Sequence, residues 1–532
     1  MPAEEFTPDE RARLAPYFTN LDGHVFALTN LPETVKGALF ARYSRSAKSL
    51  RRLFLDEFAD KVPADDGPAP HAGSTAAVAR AEKLYARVFN EYGDDSVAQL
   101  GGAHIACEYV SNILTKVLEW GRLMAYLEQS TRYVPYTDKL HGSWRYHVPT
   151  ELGTGNLRDR YVRTMDAAFE TYAKWIPVMQ AHFERRYPRG AADSEPVHRA
   201  AIRAKALDTL RGMLPAATQS NVGIYGTGQA FESLLLRMRA SPLDEARACA
   251  DAMLVELRKL IPAFLIRVDQ PERGGRWSEY LAASREGIGD IAFTLSAVEP
   301  QKRDEVTLTD FDPDGEVKIV AAALYAVTEL PDDQLLSIAR RMTADERVAV
   351  LRAYVGERAN RRHRPGRAFE RTTYRFDVLT DYGAFRDLQR HRLLTLEWQA
   401  LTPRHGYTEP EAIVEAGAHG DWERVMDGSA DLHEAIVAAG FKPAAPYSVA
   451  MAYRVRFYLE MNAREAMHLI ELRTAPQGHP AYRRVCQQMH TLIAQGAGHE
   501  AVAAAMQFVD HSSVELERLN SERALERKRQ RG

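Results

Sequence analysis

The chain has 532 residues, room for two or more domains that each bury a core of their own. Its 69 Lys and Arg against 72 Asp and Glu leave a net charge of -3, so no global field favours nucleic acid or an anionic membrane, and any bound anion must be held locally. Three scattered cysteines, Cys107, Cys249 and Cys486, make no CxxC pair and speak against zinc or a disulfide framework.

The start MPAEEFTPDE is acidic and no apolar run reaches the length of a membrane span, so the expectation is a soluble, cytoplasmic protein with buried, reduced thiols. Val25 to Leu28 reads as a short strand, after which Pro32 opens an Ala-rich helix. The Pro/Ala/Gly-rich stretch Pro63 to Gly73 is a loop, and Tyr92 to Val97 a capped turn ahead of an expected apolar helix from Val97 to Leu118. Gly101 and Gly102 within that helix point to a close approach by another backbone or a flat ligand, or simply to helix packing. Tyr146 to Tyr187 has the spacing of a solvated scaffold helix. Arg211 to Pro215 is a helix stop, followed by the permissive segment TQSNVGIYGTG and a helix from Gln229 to Arg239. Gly287 to Thr309 is low in pattern and marks the boundary, dividing the chain into 1–298 and 299–532.

The second part repeats the first. Glu119 to Tyr133, EWGRLMAYLEQSTRY, has a partner in Arg390 to Tyr407, RHRLLTLEWQALTPRHGY. Each has an early arginine, a Leu-rich turn and a glutamate, then a hydroxyl residue, a spacer and an arginine: Ser130-Thr131-Arg132 and Thr402-Pro403-Arg404. A hydroxyl, the N–H groups of a turn and a guanidinium fork are the donors a phosphate needs. Either copy alone suits a bland turn equally well; the repetition gives it weight. Val306 to Ala326 likewise echoes Val25 to Ser44 as strand, turn and Ala-rich helix. The separations shrink along the chain, from Lys36–Lys318 through Arg122–Arg392 to Arg237–Arg473, as successive deletions would make them. The helix carrying Asn462, Arg464, His468 and Arg473 splits these groups over two faces, which suits two ligands or a solvated basic face.

Together these residues resemble the flavin-dependent thymidylate synthases, whose signature runs Arg-His-Arg-x-x-Ser-x-Asn-Glu-x-Ser-x-Arg-Tyr. In the first half Arg122, Glu128, Ser130, Arg132 and Tyr133 keep its spacing, while Trp120-Gly121, Ala125 and Leu127 depart from it. In the second, Arg390-His391-Arg392 is intact, Thr395 stands for the first serine, and the register then slips before Thr402. The family's later helix is matched by Asn462, Arg464, His468 and Leu472-Arg473, and its Arg-x-x-Leu-Pro by Arg211 to Pro215 in the first half alone. Asp387 stands where the family has glutamine.

The resemblance implies an α+β fold in two tandem copies, helix-rich with a small central sheet in each. It also implies complementary decay: a nucleotide cradle kept in the first copy (Glu128, Ser130, Thr131, Arg132, Arg211) and flavin-facing groups in the second (His391, Arg392, Asn462, Arg464, His468). Arg390 would then reach the nucleotide, and Arg473, with Arg237 as its counterpart, would meet the base. The implied reaction is conversion of dUMP to dTMP with FAD as cofactor and methylenetetrahydrofolate and NADPH as co-substrates, in a homodimer imitating the family tetramer, with no metal. An enzyme modifying another pyrimidine nucleotide, and a non-catalytic nucleotide-binding homologue, are the alternatives.

Overall fold

A computed structural model describes residues 5–23, 25–43, 46, 48–59, 99–132, 134–295 and 297–531. The expected loop at Pro63 to Gly73, the turn at Tyr92 to Val97, and Tyr133 lie outside these. The chain forms two compact units that do not follow it in order. The first takes residues up to 110, then 117–128 and 221–299; the second takes 111–116, 129–220 and everything from Pro300 on. One crossing, Glu299 to Pro300, falls beside the boundary expected from the sequence; the others lie inside the first repeat.

The first unit is built on a three-stranded sheet of β1 (Gly102–Ser111), β2 (Met124–Glu128) and β3 (Gln219–Thr227), in the order β1-β3-β2. Three expectations are corrected here. Where a helix was expected as far as Leu118, Gly102–Ser111 is a strand and only Asn112–Leu118 is helical. Gly102 explains why: a Cβ there would meet the Gly226 carbonyl oxygen at 2.6 Å, so the glycine admits a neighbouring strand and not a helix or ligand. The glycine-containing segment after Pro215, read as permissive, is the central strand β3. Val25 to Leu28 forms no strand; Leu28 makes a single bridge to Phe18.

The second unit holds a four-stranded antiparallel sheet in the order β4-β5-β7-β6: β4 (Val306–Phe311), β5 (Thr373–Asp381), β6 (Thr395–Trp398) and β7 (Arg454–Asn462). Helix Asn156–Arg186 is core-lining on one face, since Tyr161, Met165, Phe169, Tyr172, Ile176, Met179 and Phe183 recur at helical spacing and are buried. The two sheets share a plan. In each, a strand leads into a short helix, a short strand follows, and the strand returning after a long excursion lies between them and opens another helix. All four strand-to-helix joints use one device: the last strand residue, Ser111, Thr227, Asp381 or Asn462, turns its side-chain oxygen back to accept a backbone N–H of the helix it starts.

All three thiols are free, Cys107 and Cys486 buried and Cys249 half-buried. Among the described residues no helix is long and apolar enough to cross a membrane.

Candidate active site

The site lies in the second unit and begins with Arg132. The backbone N–H of Arg132 donates to Ser130 Oγ at 3.2 Å, so the hydroxyl, spacer and arginine do form a tight turn, with Thr131 buried in it. The guanidinium is occupied, however. Its Nε and Nη2 clasp the Asp208 carboxylate at 2.8 and 2.6 Å, and its remaining donors reach Tyr482 Oη and the Gln477 carbonyl. Burial opposes the charge on Arg132, and Asp208 overrides it, raising its pKa above the ordinary value. For Arg132 to hold a phosphate it would have to release Asp208.

Asp208 is in the last turn of helix Glu195–Leu210, and Arg211 follows it directly in a tighter turn. Arg211 is buried, and its Nη2 has no hydrogen-bond partner. Its Nη1 stands 3.9 Å from Asp387 Oδ2, and Arg473 Nη1 stands 3.7 Å from Oδ1 of the same carboxylate. Burial works to raise the Asp387 pKa, but Arg390, Arg473, Arg211 and Arg132 together hold it below the ordinary range. One carboxylate thus sits amid four arginines, two from each half of the sequence.

Arg473 ends helix Ala463–Arg473. Its Nε donates to His391 Nε2 at 3.0 Å, and its guanidinium lies 5.4 Å from the centre of the Tyr482 ring. Accepting that bond takes the Nε2 lone pair, so the His391 proton is on Nδ1, which faces Glu465 Oε1 at 3.3 Å. Burial, then Arg473 and His468, keep His391 neutral by holding its pKa well below the ordinary value. His391, Glu465 and His468 are grouped closely enough to share a metal ion. The tautomer argues otherwise: with Nε2 engaged by Arg473 and Nδ1 protonated, His391 has no lone pair to offer a cation.

Arg390-His391-Arg392 is not helical: helix Tyr382–Leu388 has ended and the three residues follow in a turn, with Arg392 exposed. Asn462 spends its side-chain oxygen on the Glu465 N–H, and Arg464 Nε donates to the Pro365 carbonyl. His468 is half-buried, pushed down to about 4 by burial and then by Arg364, Arg361, Arg473 and Arg464. Two predicted residues belong to the first unit: Glu128 on β2, and Arg237, stacked 5.6 Å from the Trp120 ring.

A cavity of about 450 Å³ borders the cluster, with Arg211, Asp208, Lys205, His479, Asp381 and Trp422 in its wall. That is the range of small-molecule sites. His479 accepts the Ala481 N–H on Nδ1 and is held neutral, chiefly by burial, which leaves its Nε2 proton as a donor. Asp208, Glu465 and His479 were missed in the sequence reading. Asp208 was findable from its place one helical turn before Arg211; nothing local in the sequence pointed to His479.

The family model described as thymidylate synthase complementing protein matches residues 40–263 and 307–497. The chain belongs to that family. The two matched segments make it an internally duplicated long form. Among relatives of this thymidylate synthase complementing family, the UPF0159 protein of Chlamydia muridarum is 38% identical over 521 residues, 97% of this chain and 98% of its own. That of Thermoplasma acidophilum is 29% identical over 524 residues, covering 92% of this chain and 97% of its own. Among solved structures, the UMP/dUMP methylase PolB from Streptomyces cacaoi bound with 5-Br dUMP is 20% identical, covers 37% of this chain and 94% of its own, and has a TM-score of 0.29.

Proposed function

We propose that this chain is a flavin-dependent thymidylate synthase that binds dUMP at the arginine cluster and methylates it at C5, with methylenetetrahydrofolate as carbon donor and NADPH as reductant. The observation that carries this reading is the convergence of Arg132 and Arg211 from the first family segment with Asp387 and Arg473 from the second. Arg211 and Arg473, each kept in a different repeat, meet at one carboxylate, as a division of labour between the repeats requires. In this reading Arg211 and Arg390 take the phosphate, the Ser130–Arg132 turn supports it, and the adjoining cavity takes the rest of the nucleotide.

Uracil C5 is a poor nucleophile unless charge developing on the ring is stabilised, and a guanidinium against the carbonyl edge does this without a covalent protein nucleophile. Arg473 has that role. His391, by accepting a hydrogen bond from Arg473 Nε, fixes the guanidinium plane and leaves its Nη groups to the base. The Glu465 carboxylate holds His391 in the required tautomer.

The groups assigned to FAD suit it chemically. Arg361, Arg364, Arg392 and Arg464 are near enough to act on Glu465 or His468, a concentration of cations suited to a pyrophosphate, and neutral His468 can pack on a ring or accept a hydrogen bond. When bound, FAD supplies the hydride transfer. His391, Arg392, Asn462, Arg464 and His468 would hold it. We extend the proposal to a homodimer, which sedimentation velocity measures directly.

The placement of Asp387 among the arginines favours one second reading, the same chemistry on a different pyrimidine nucleotide. Visible spectra of the protein with added FAD, followed anaerobically through NADPH addition with and without dUMP, decide between them. Flavin reduction altered by dUMP is expected; reduction indifferent to dUMP would favour another nucleotide, and a failure to bind flavin would sink both.

A further inference from the structure

We infer that Asp387 sets how tightly this site holds the phosphate of its nucleotide, as an internal anion competing for the guanidinium groups that the phosphate needs. The inference rests on the nucleotide reading above and adds its specificity determinant. Asp387 lies in the last turn of helix Tyr382–Leu388, with Arg473 Nη1 at 3.7 Å and Arg211 Nη1 at 3.9 Å on its two oxygens. Neither is within hydrogen-bond reach. The carboxylate therefore offsets the charge of the cluster without saturating its donors.

The donors show what is missing. Arg132 is closed on Asp208, and Arg473 Nε is given to His391. Arg211 Nη2, on a side chain only 5% exposed, has no acceptor although its residue borders the cavity. Buried donors are nearly always paired, so this one marks the place of an acceptor brought by a ligand. An anion arriving there shares that guanidinium with Asp387, which stands 3.9 Å from its Nη1. It shares the attraction of Arg211 and Arg473 and is repelled by the carboxylate, and at separations near 4 Å these terms are large enough to govern affinity. A neutral group at that end of the ligand pays no such penalty. The carboxylate thus grades ligands by the charge they carry.

The test is calorimetric titration of the full chain, loaded with FAD, with dUMP, deoxyuridine and inorganic phosphate at low salt. Asp387→Asn is expected to tighten dUMP and phosphate about ten-fold and leave deoxyuridine unchanged. Asp387→Glu, which keeps the charge, should stay near the parent, and Asp387→Gln serves as the neutral variant if the asparagine protein does not fold. Phosphate and dUMP affinities that are unchanged or weaker in the neutral variants would overturn the inference and leave the dUMP reading standing. Phosphate that tightens while dUMP binds neither protein would uphold the inference and overturn the dUMP reading. Absence of binding by either anion to either protein would overturn both.

Discussion

At the scale of single residues, the structure turns an expected ligand contact into an internal one. Arg132 and Asp208 are both nearly buried, with side chains 10% and 5% exposed. Arg132→Ala would leave Asp208 uncompensated, so it should cost about 3–5 kcal/mol of stability, read as a lowered melting temperature, before any effect on nucleotide affinity is measured. The sequence shows Ser130-Thr131-Arg132 plainly but not Asp208, because the partner of a buried charge is chosen by the fold across many residues. Glu465 gives a second prediction. Burial pushes its carboxyl up to about 7 against the pull of Arg364, Arg464 and Arg392, from an ordinary value of 4.5. The unfolded chain therefore releases this proton first. Stability falls as pH rises between those two values, and the full penalty, on the order of 3 kcal/mol, persists above them. Glu465→Gln should raise the melting temperature at about pH 8 and bring no gain at about pH 4; a gain equal at both would place the cause elsewhere.

At the scale of elements, the strand at Val306–Phe311 and the Ala-rich helix after it were legible, and the strands that lead into the four capped helices were not. Ser111, Thr227, Asp381 and Asn462 are all N-capping types, and Asn462 had been singled out, yet the segments leading into them were read as helix, loop or nothing. β1 opens on Gly102 and β3 has two glycines, and neither carries the β-branched runs that announce a strand; strand-to-strand approach overrides that weak propensity. The helix bearing Arg473 is anchored from below by Arg358 and Glu471, a two-pronged ion pair at 2.6 and 2.7 Å with both side chains 1% exposed. Arg358→Ala should destabilise the fold by about 3–5 kcal/mol, and adding Glu471→Leu to it should recover part of that loss in the same denaturation series, since no lone charge is then buried.

At the scale of the whole molecule, duplication explains why two incomplete motifs persist in one chain. The shared sheet plan and shared caps show two versions of one design, and in the function proposed above each repeat supplies what the other has lost. The order of the echoes was visible in the sequence. The interleaving was not, because a linear reading assigns each repeat to its own body, whereas residues 129–220 of the first repeat belong to the compact unit that contains the second. The two arginine-bearing turns should accordingly differ in importance: Arg404 is exposed, so Arg404→Ala is expected to leave kcat/KM within about two-fold, whereas Arg473→Ala should abolish turnover. The most direct test of the account is to incubate the protein anaerobically with dUMP, NADPH, FAD and methylenetetrahydrofolate labelled at its methylene carbon, and to follow the nucleotide by mass spectrometry. The account predicts label in dTMP, lost in both Arg211→Ala and Arg473→Ala, which come from different repeats; absence of labelled dTMP, or its survival in either variant, would contradict it.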